Sequence, residues 1–221
     1  MPRADFHRHL ETLQESLLVM GSMVEKAVIH AIEALKSRDL EASRQIVAAD
    51  DLIDRKRFEI EDHCIEIIAT QQPMASDLRS IITLLHISVE LERIGDYAEG
   101  IAKISLMMGD EPPLKPLIDI PRMADKSTDM LRRSLTALVQ RDVEAAKKIC
   151  NDDDEVDALY DQVFRELLTF MIHDPKVIQR ATYLLWVAHD LERIADRTTN
   201  IAERVVYLVT GKMIEMNVSK Y

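Results

Sequence analysis

Two copies of one acidic seven-residue phrase recur in this chain. The first is ELERIGD at 90–96 and the second is DLERIAD at 190–196, so Glu92 and Glu192 lie 192 − 92 = 100 residues apart. Each phrase spaces a Glu and an Asp four residues apart, which places both carboxylates on one side of a helix. Like charges at this spacing repel each other by roughly a few tenths of a kcal/mol. Two equivalent copies of such a pair therefore indicate that a cation belongs there.

Other acidic pairs with the same spacing precede each phrase. Asp50 and Asp54 flank an apolar stripe on the predicted second helix, and Asp153 and Asp157 do so on the predicted fifth helix. The faces carrying the phrases extend to Glu99 and Glu203. If neighbouring helices pack side by side, four carboxylates converge in each half of the chain. Such an oxygen-rich set suits Mg, Mn, Ca, Fe or Zn.

A solvated face is the simpler interpretation of any single acidic pair. Arg93 and Arg193 each precede an aspartate, Asp96 or Asp196, by three residues and could pair with it on the same helix. Repeats also inherit structural residues as readily as functional ones. From spacing alone, metal binding and an ion-paired surface therefore remain open alternatives.

Apolar residues recur at steps of three and four along almost the whole chain, which predicts amphipathic helices. No stretch shows the sustained alternation that is typical of a strand. We therefore expect an all-α protein with six helices, at about 3–36, 40–70, 75–107, 120–140, 142–172 and 176–210.

The helices fall into two similar halves. The segment 38–42 (RDLEA) matches 141–145 (RDVEA) at an offset of 103 residues, and a Pro-rich segment separates the halves. Long helices joined by short connections pack antiparallel. The sequence therefore predicts two tandem antiparallel three-helix bundles related by internal duplication: a first domain at 1–108, a linker at 109–119 and a second domain at 120–221.

Composition narrows the class of partner. The 221 residues carry a formal net charge of −11, which argues against a nucleic-acid-binding surface. The N-terminus lacks the apolar core of a signal peptide, and no apolar run approaches the roughly 20 residues that span a bilayer. Two cysteines without ligand spacing fit a reduced compartment. We expect a cytoplasmic protein that reaches a membrane only through partners.

The duplicated phrases also resemble those of a known family. Together with QPMASDLR at 72–79, the acidic pair at 50–54 and the Asn200-x-x-Glu203 spacing, they are similar to the PhoU family of phosphate-signalling regulators. The resemblance extends from about residue 6 to 211. It implies an all-α protein of two bundles without a known reaction, which represses the response to phosphate starvation. It also implies contacts with the ATPase subunit of a phosphate ABC transporter and with a sensor histidine kinase, and a homodimer.

The resemblance further implies multinuclear clusters of divalent or trivalent metal ions, such as Fe, Mn, Mg or Zn, on the acidic pairs. Carried over to this sequence, the first cluster uses Asp50, Asp54, Glu92, Asp96 and Glu99. The second uses Asp153, Asp157, Glu192, Asp196, Asn200 and Glu203. The two sets differ, because position 199, equivalent to Glu99, is Thr, and position 100, equivalent to Asn200, is Gly.

Two further functions remain alternatives at this stage. A carboxylate-bridged metal centre could activate water as a metalloenzyme, but nothing in the sequence indicates a shaped pocket with a positioned base. A helical scaffold without metal is the other alternative. We expect a protein without enzymatic activity.

Overall fold

A computed structural model describes residues 2–214 of the chain and shows six long helices. Among these residues there is no strand, so the all-α prediction is confirmed. The last seven residues of the predicted second domain, 215–221, lie outside the described residues. The helices are α1 (Pro2–Ser37), α2 (Leu40–Gln71), α3 (Ala75–Met108), α4 (Asp119–Gln140), α5 (Val143–His173) and α6 (Ile178–Thr210).

Local sequence determines where these helices begin and end. The Asp39 side chain caps α2 by accepting a hydrogen bond from the Ala42 amide, and Asp142 caps α5 by accepting from the Glu144 and Ala145 amides. Gly211 follows α6 with φ of 72°, a left-handed conformation that glycine adopts without strain. A short 3-10 helix, Pro175–Val177, precedes α6 where a direct helix start near 176 was predicted.

The two halves are three-helix repeats that share one continuous core. In the first repeat α1, α2 and α3 pack against one another, and in the second α4, α5 and α6 do the same. The repeats join because α3 packs along α6 and α1 packs against α4. Gly21 makes the second of these contacts close: a Cβ there would lie 2.4 Å from the Leu135 side chain.

The Pro-rich segment between the repeats is fixed to both of them. Arg38 of the first repeat donates a hydrogen bond to the Asp110 carbonyl. Arg180 of the second donates to the Pro112 carbonyl, and the buried Lys115 pairs with Glu166 on α5. The segment is therefore anchored at several points along its length.

None of the helices in the described range 2–214 combines the length and the apolarity that a membrane crossing requires.

Candidate metal centre

Helices α2 and α3 bring three of the predicted carboxylates together. Asp50 and Asp54 lie one turn apart on α2, and Asp96 faces them from α3. One carboxylate oxygen from each residue lies within 4.8 Å of the other two. Within the part of the chain that the structure describes, this is the only group of three His, Cys, Asp or Glu residues that meets this distance.

The other two predicted ligands border this group. Burial and then the charge of Glu99 raise the pKa of Asp50, and burial and then the charge of Asp96 raise the pKa of Glu92. We call Asp50, Asp54, Glu92, Asp96 and Glu99 the first acidic cluster. Its two glutamates also contact cationic side chains at the edge: Lys103 lies 2.6 Å from Glu99, and Arg57 lies 3.6 Å from Glu92.

Negative charge is crowded in the first acidic cluster. Burial, followed by the carboxylates of Glu99, Asp54 and Asp96, raises the pKa of Asp50 to about 6. Burial and neighbouring carboxylates also raise the pKa values of Asp96 and Glu92. A carboxylate pKa rises in this way when the surroundings disfavour its charged form. The cluster therefore has a deficit of positive charge that a bound cation would offset.

The donor set fits a hard cation. Three half-buried or exposed carboxylates on two adjacent helices offer oxygen ligands, with further oxygens from Glu92 and Glu99 at the border. Mg²⁺, Ca²⁺ and Mn²⁺ prefer such ligands, and carboxylates also serve iron. Asp50, Asp54 and Asp96 are the residues that would hold the ion, which would supply positive charge at that point of the surface.

In the second repeat, an arginine contacts the equivalent acidic residues directly. Arg193 lies 2.7 Å from a carboxylate oxygen of Glu192 and 2.7 Å from one of Asp196. Its guanidinium thus supplies an internal counter-ion to the second acidic cluster, which we define as Asp153, Asp157, Glu192 and Asp196. The alternative of an arginine pairing with the aspartate three residues later is realised here. A metal bound by Glu192 and Asp196 would compete with Arg193 for the same two carboxylates.

The four carboxylates of the second cluster still lie near one another. Burial and then the charge of Asp196 raise the pKa of Asp157. Burial raises the pKa of Glu192 to about 7, with Asp196, Asp157 and Asp153 adding to the effect and Arg193 opposing it. Asp153 is 2% exposed and is the most buried acid of the cluster.

Residues 199, 200 and 203 follow Asp196 on α6, and two of them, Asn200 and Glu203, were predicted ligands of the second cluster. Thr199, in the place of Glu99, is buried and donates a hydrogen bond to the Asp196 carbonyl. Glu203 lies near Cys150, one turn before Asp153, and its charge adds to burial in raising the pKa of that thiol. Asn200 donates to Glu90 of the first repeat at 3.2 Å, which directs its amide to the contact between the repeats.

Sequence reasoning missed this contact between α3 and α6. It uses the first residue of each repeated phrase, Glu90 and Asp190, which we had not assigned a role. Glu90 accepts from Asn200, and Arg197 lies 3.5 Å from it. Asp190 instead faces Gly100, where a Cβ would lie 3.1 Å from its carboxylate, and burial raises the pKa of Asp190 to about 7. The Gly100/Asn200 difference was the available signal, since it marks a place where the repeats cannot be identical.

The fold and its acidic clusters define a class: all-α proteins built from a duplicated three-helix repeat that bears one acidic cluster per repeat. The PhoU domain model matches this chain twice, over residues 17–105 and 120–205. The chain therefore belongs to the PhoU family, as its resemblance implied.

Relatives are similar over nearly their whole length. A Clostridium acetobutylicum protein is 42% identical over 98% of this chain and 100% of its own, and an Aquifex aeolicus protein is 40% identical over 94% of each. Both are named phosphate-specific transport system accessory protein PhoU homologues.

Solved structures share the fold. The crystal structure of PhoU from Pseudomonas aeruginosa has a TM-score of 0.89 at 36% identity and covers 94% of this chain and 100% of that one. The phosphate transport system regulatory protein PhoU from Streptococcus pneumoniae has a TM-score of 0.89 at 31% identity, covering 95% and 99%.

Proposed function

We propose that this chain is a cytoplasmic regulator of phosphate uptake and of phosphate-starvation signalling. It acts as a homodimeric, metal-binding adaptor between the ATPase subunit of a phosphate ABC transporter and its sensor histidine kinase. The observation that carries the transport role is full-length similarity to proteins named for a phosphate-specific transport system. The observation that supports metal binding is the convergence of Asp50, Asp54 and Asp96.

Charge explains why a cation would matter to an adaptor. The chain carries a net charge of −11, and its first acidic cluster holds more carboxylates than nearby cations. A partner that packs over unpaired carboxylates must desolvate them, which costs several kcal/mol per ion unless each is paired. A bound cation neutralises the cluster and stiffens the contact between α2 and α3. The adaptor then presents a surface that a partner can cover.

Two measurements test the proposal. Co-purification of the untagged chain with the transporter ATPase and with the kinase tests the adaptor role. If neither partner is recovered, the adaptor role is wrong. Elemental analysis of protein purified without added metal tests the cofactor, with Asp54→Ala/Asp96→Ala as the comparison. Equal metal content in the wild type and this variant would refute the metal site at the first acidic cluster.

The proposed role involves no chemical conversion of a substrate. An assay of metal-loaded protein against phosphate esters separates the adaptor from a metalloenzyme. We expect no turnover above the metal-only control. Turnover that Asp96→Ala abolishes would replace the adaptor with a hydrolytic function.

A further inference from the structure

The first two helices of each repeat border a groove, and the two grooves occupy equivalent places. The groove of the first repeat lies between α1 and α2 and has a volume of about 580 Å³. The groove of the second lies between α4 and α5 and has a volume of about 490 Å³. Seven lining positions correspond at the offset of 103 residues: 23, 26, 27, 30, 45, 49 and 52 match 126, 129, 130, 133, 148, 152 and 155.

Ion pairs bridge the groove of the second repeat. Lys126 on α4 pairs with Glu155 on α5, and Arg133 lies 2.7 Å from Asp152. These two pairs cross from one wall to the other. The second groove is therefore lined and spanned by charged side chains.

The four positions that form these ion pairs are occupied in the first repeat by apolar or uncharged residues. Met23 and Leu52 stand where the second repeat has Lys126 and Glu155. Ala49 replaces Asp152, so the second bridge also has no counterpart. Leu52 is 48% exposed, although it is a large apolar residue beside an apolar groove. A groove that keeps its volume but loses its charged bridges leaves apolar surface to be covered.

We propose that this groove, between α1 and α2, docks an amphipathic helix of a partner protein whose apolar face is flanked by Lys and Arg. Met23, Ala27, Ile46 and Leu52 receive the apolar face. Helices bind in such grooves through side chains spaced three and four residues apart.

Charge at the rim selects the basic flank. The lining residues include one lysine, Lys26, and four carboxylates. Asp50 and Glu99 belong to the first acidic cluster, whereas Glu33 and Asp39 lie outside it and keep the rim acidic when a cation is bound there. Complementary charge favours encounter with a cationic segment and disfavours like-charged partners. A second copy of this chain, with its net charge of −11, is therefore the poorer occupant.

The dimensions also suit a helix. On α1 the groove extends from Met23 to Ser37, which at about 1.5 Å per residue is about 21 Å. A bound helix of about four turns has the same length. This inference deepens the proposed adaptor role, on which it rests, by naming the surface and the chemistry through which one partner docks.

The second repeat supplies the design of the test. Met23→Lys/Leu52→Glu installs the Lys126–Glu155 bridge in the first groove and leaves the net charge unchanged. Non-specific attraction of a basic peptide to this acidic protein is therefore the same in both proteins. A matched control, Met107→Lys/Ile118→Glu, makes the same changes at two exposed apolar residues that do not line the groove.

The probe is a 16-residue peptide with Leu and Ala on one helical face and Lys along its edges, measured by calorimetric titration against a scrambled peptide. We expect the bridged variant to bind at least tenfold more weakly than the wild type and the control variant to bind normally. The docking proposal would be overturned if all three proteins bound the peptide equally, or if the wild type bound the scrambled peptide as tightly as the designed peptide. Thermal unfolding of each variant verifies that it is folded.

Two further readouts separate this inference from other outcomes. If sedimentation shows that the bridged variant alone dissociates a dimer, the occupant is a second copy and the proposed partner helix is wrong. If the bridged variant still co-purifies with the transporter ATPase and the kinase as the wild type does, the groove fails while the adaptor role stands. If even the wild type recovers neither, the adaptor role fails, whatever the peptide result.

Discussion

The two repeats use the same acidic phrase but balance its charge in different ways. In the first, Asp50, Asp54 and Asp96 converge without an arginine among them, and the cations lie at the border on Lys103 and Arg57. In the second, Arg193 bridges two of the acids directly. Both repeats thus have four equivalent acidic residues, whereas the counter-ion differs. An acidic pair on a helix does not by itself tell which of these arrangements will form.

The largest expected effect is a difference in cation binding between the two acidic clusters. Mn²⁺ at about 100 times its dissociation constant should stabilise the wild type by about 2.7 kcal/mol, which is a rise in Tm of roughly 5–10 °C. Asp54→Ala/Asp96→Ala should lose this rise, because it removes two of the three converging ligands. Asp157→Ala/Asp196→Ala should keep most of it. Thermal unfolding with and without Mn²⁺ measures both, and the reverse ranking would show that the second cluster is the principal site.

Removing the internal counter-ion should make the second cluster resemble the first. Arg193→Gln leaves Glu192 and Asp196 without their bridging guanidinium, and we expect a loss of about 1–3 kcal/mol in metal-free protein. Added Mn²⁺ should restore much of that loss. Denaturant unfolding of this variant and of the matched Arg93→Gln provides the measurement. Equal losses in the two variants would contradict the difference between the repeats.

The contact between the repeats should be more sensitive to a change at Gly100 than to a change at Asn200. Gly100→Asn should destabilise the protein by about 1–3 kcal/mol, because its Cβ meets the Asp190 carboxylate in a packed interface. Asn200→Ala should cost about 1 kcal/mol, the value of its single hydrogen bond to Glu90. Denaturant unfolding ranks the two. A larger loss for Asn200→Ala would mean that the amide, and not the space at Gly100, determines this contact.

The smallest expected effect is a dependence of stability on pH in metal-free protein. The folded-state pKa of Asp50 is raised to about 6, and those of Asp190 and Glu192 are each raised to about 7, so the folded protein binds more protons than the unfolded chain between about pH 4 and 7. Stability should therefore fall as pH rises through this range, by about 1–2 °C in Tm after solvent screening.

Single variants locate this dependence. Asp50→Asn should lessen the fall in Tm up to about pH 6, and Asp190→Asn and Glu192→Gln should each lessen it up to about pH 7. Thermal scans at half-unit pH steps in chelator separate the two windows. A wild-type Tm that climbs steadily from pH 4 to 7 would show that other carboxylates, paired in the folded state, dominate the linkage.

Periodicity was sufficient to predict the helices, because each helix buries one continuous apolar stripe. The predicted second and third helices, at 40–70 and 75–107, differ from α2 and α3 by one residue at their ends. The 3-10 turn at Pro175–Val177 was missed because proline is equally compatible with the first turn of a helix.

The site was harder to predict than the fold. The convergence of Asp50, Asp54 and Asp96 followed from spacing and from antiparallel packing. The direction of Asn200 did not, since a side chain on a shared edge of two helices can turn to either neighbour. Nor did the position of Arg193, because Arg93 has the same spacing from Glu92 and Asp96, so spacing alone does not tell which arginine bridges its acids.

The anchored segment between the repeats has a consequence for assembly. Arg38, Arg180 and Lys115 hold the segment against both repeats, so it restrains the movement of one repeat relative to the other. The fold thus fixes the distance between the two acidic clusters. A partner complex that contacts both acidic clusters at once must therefore have its two binding sites at a matching distance.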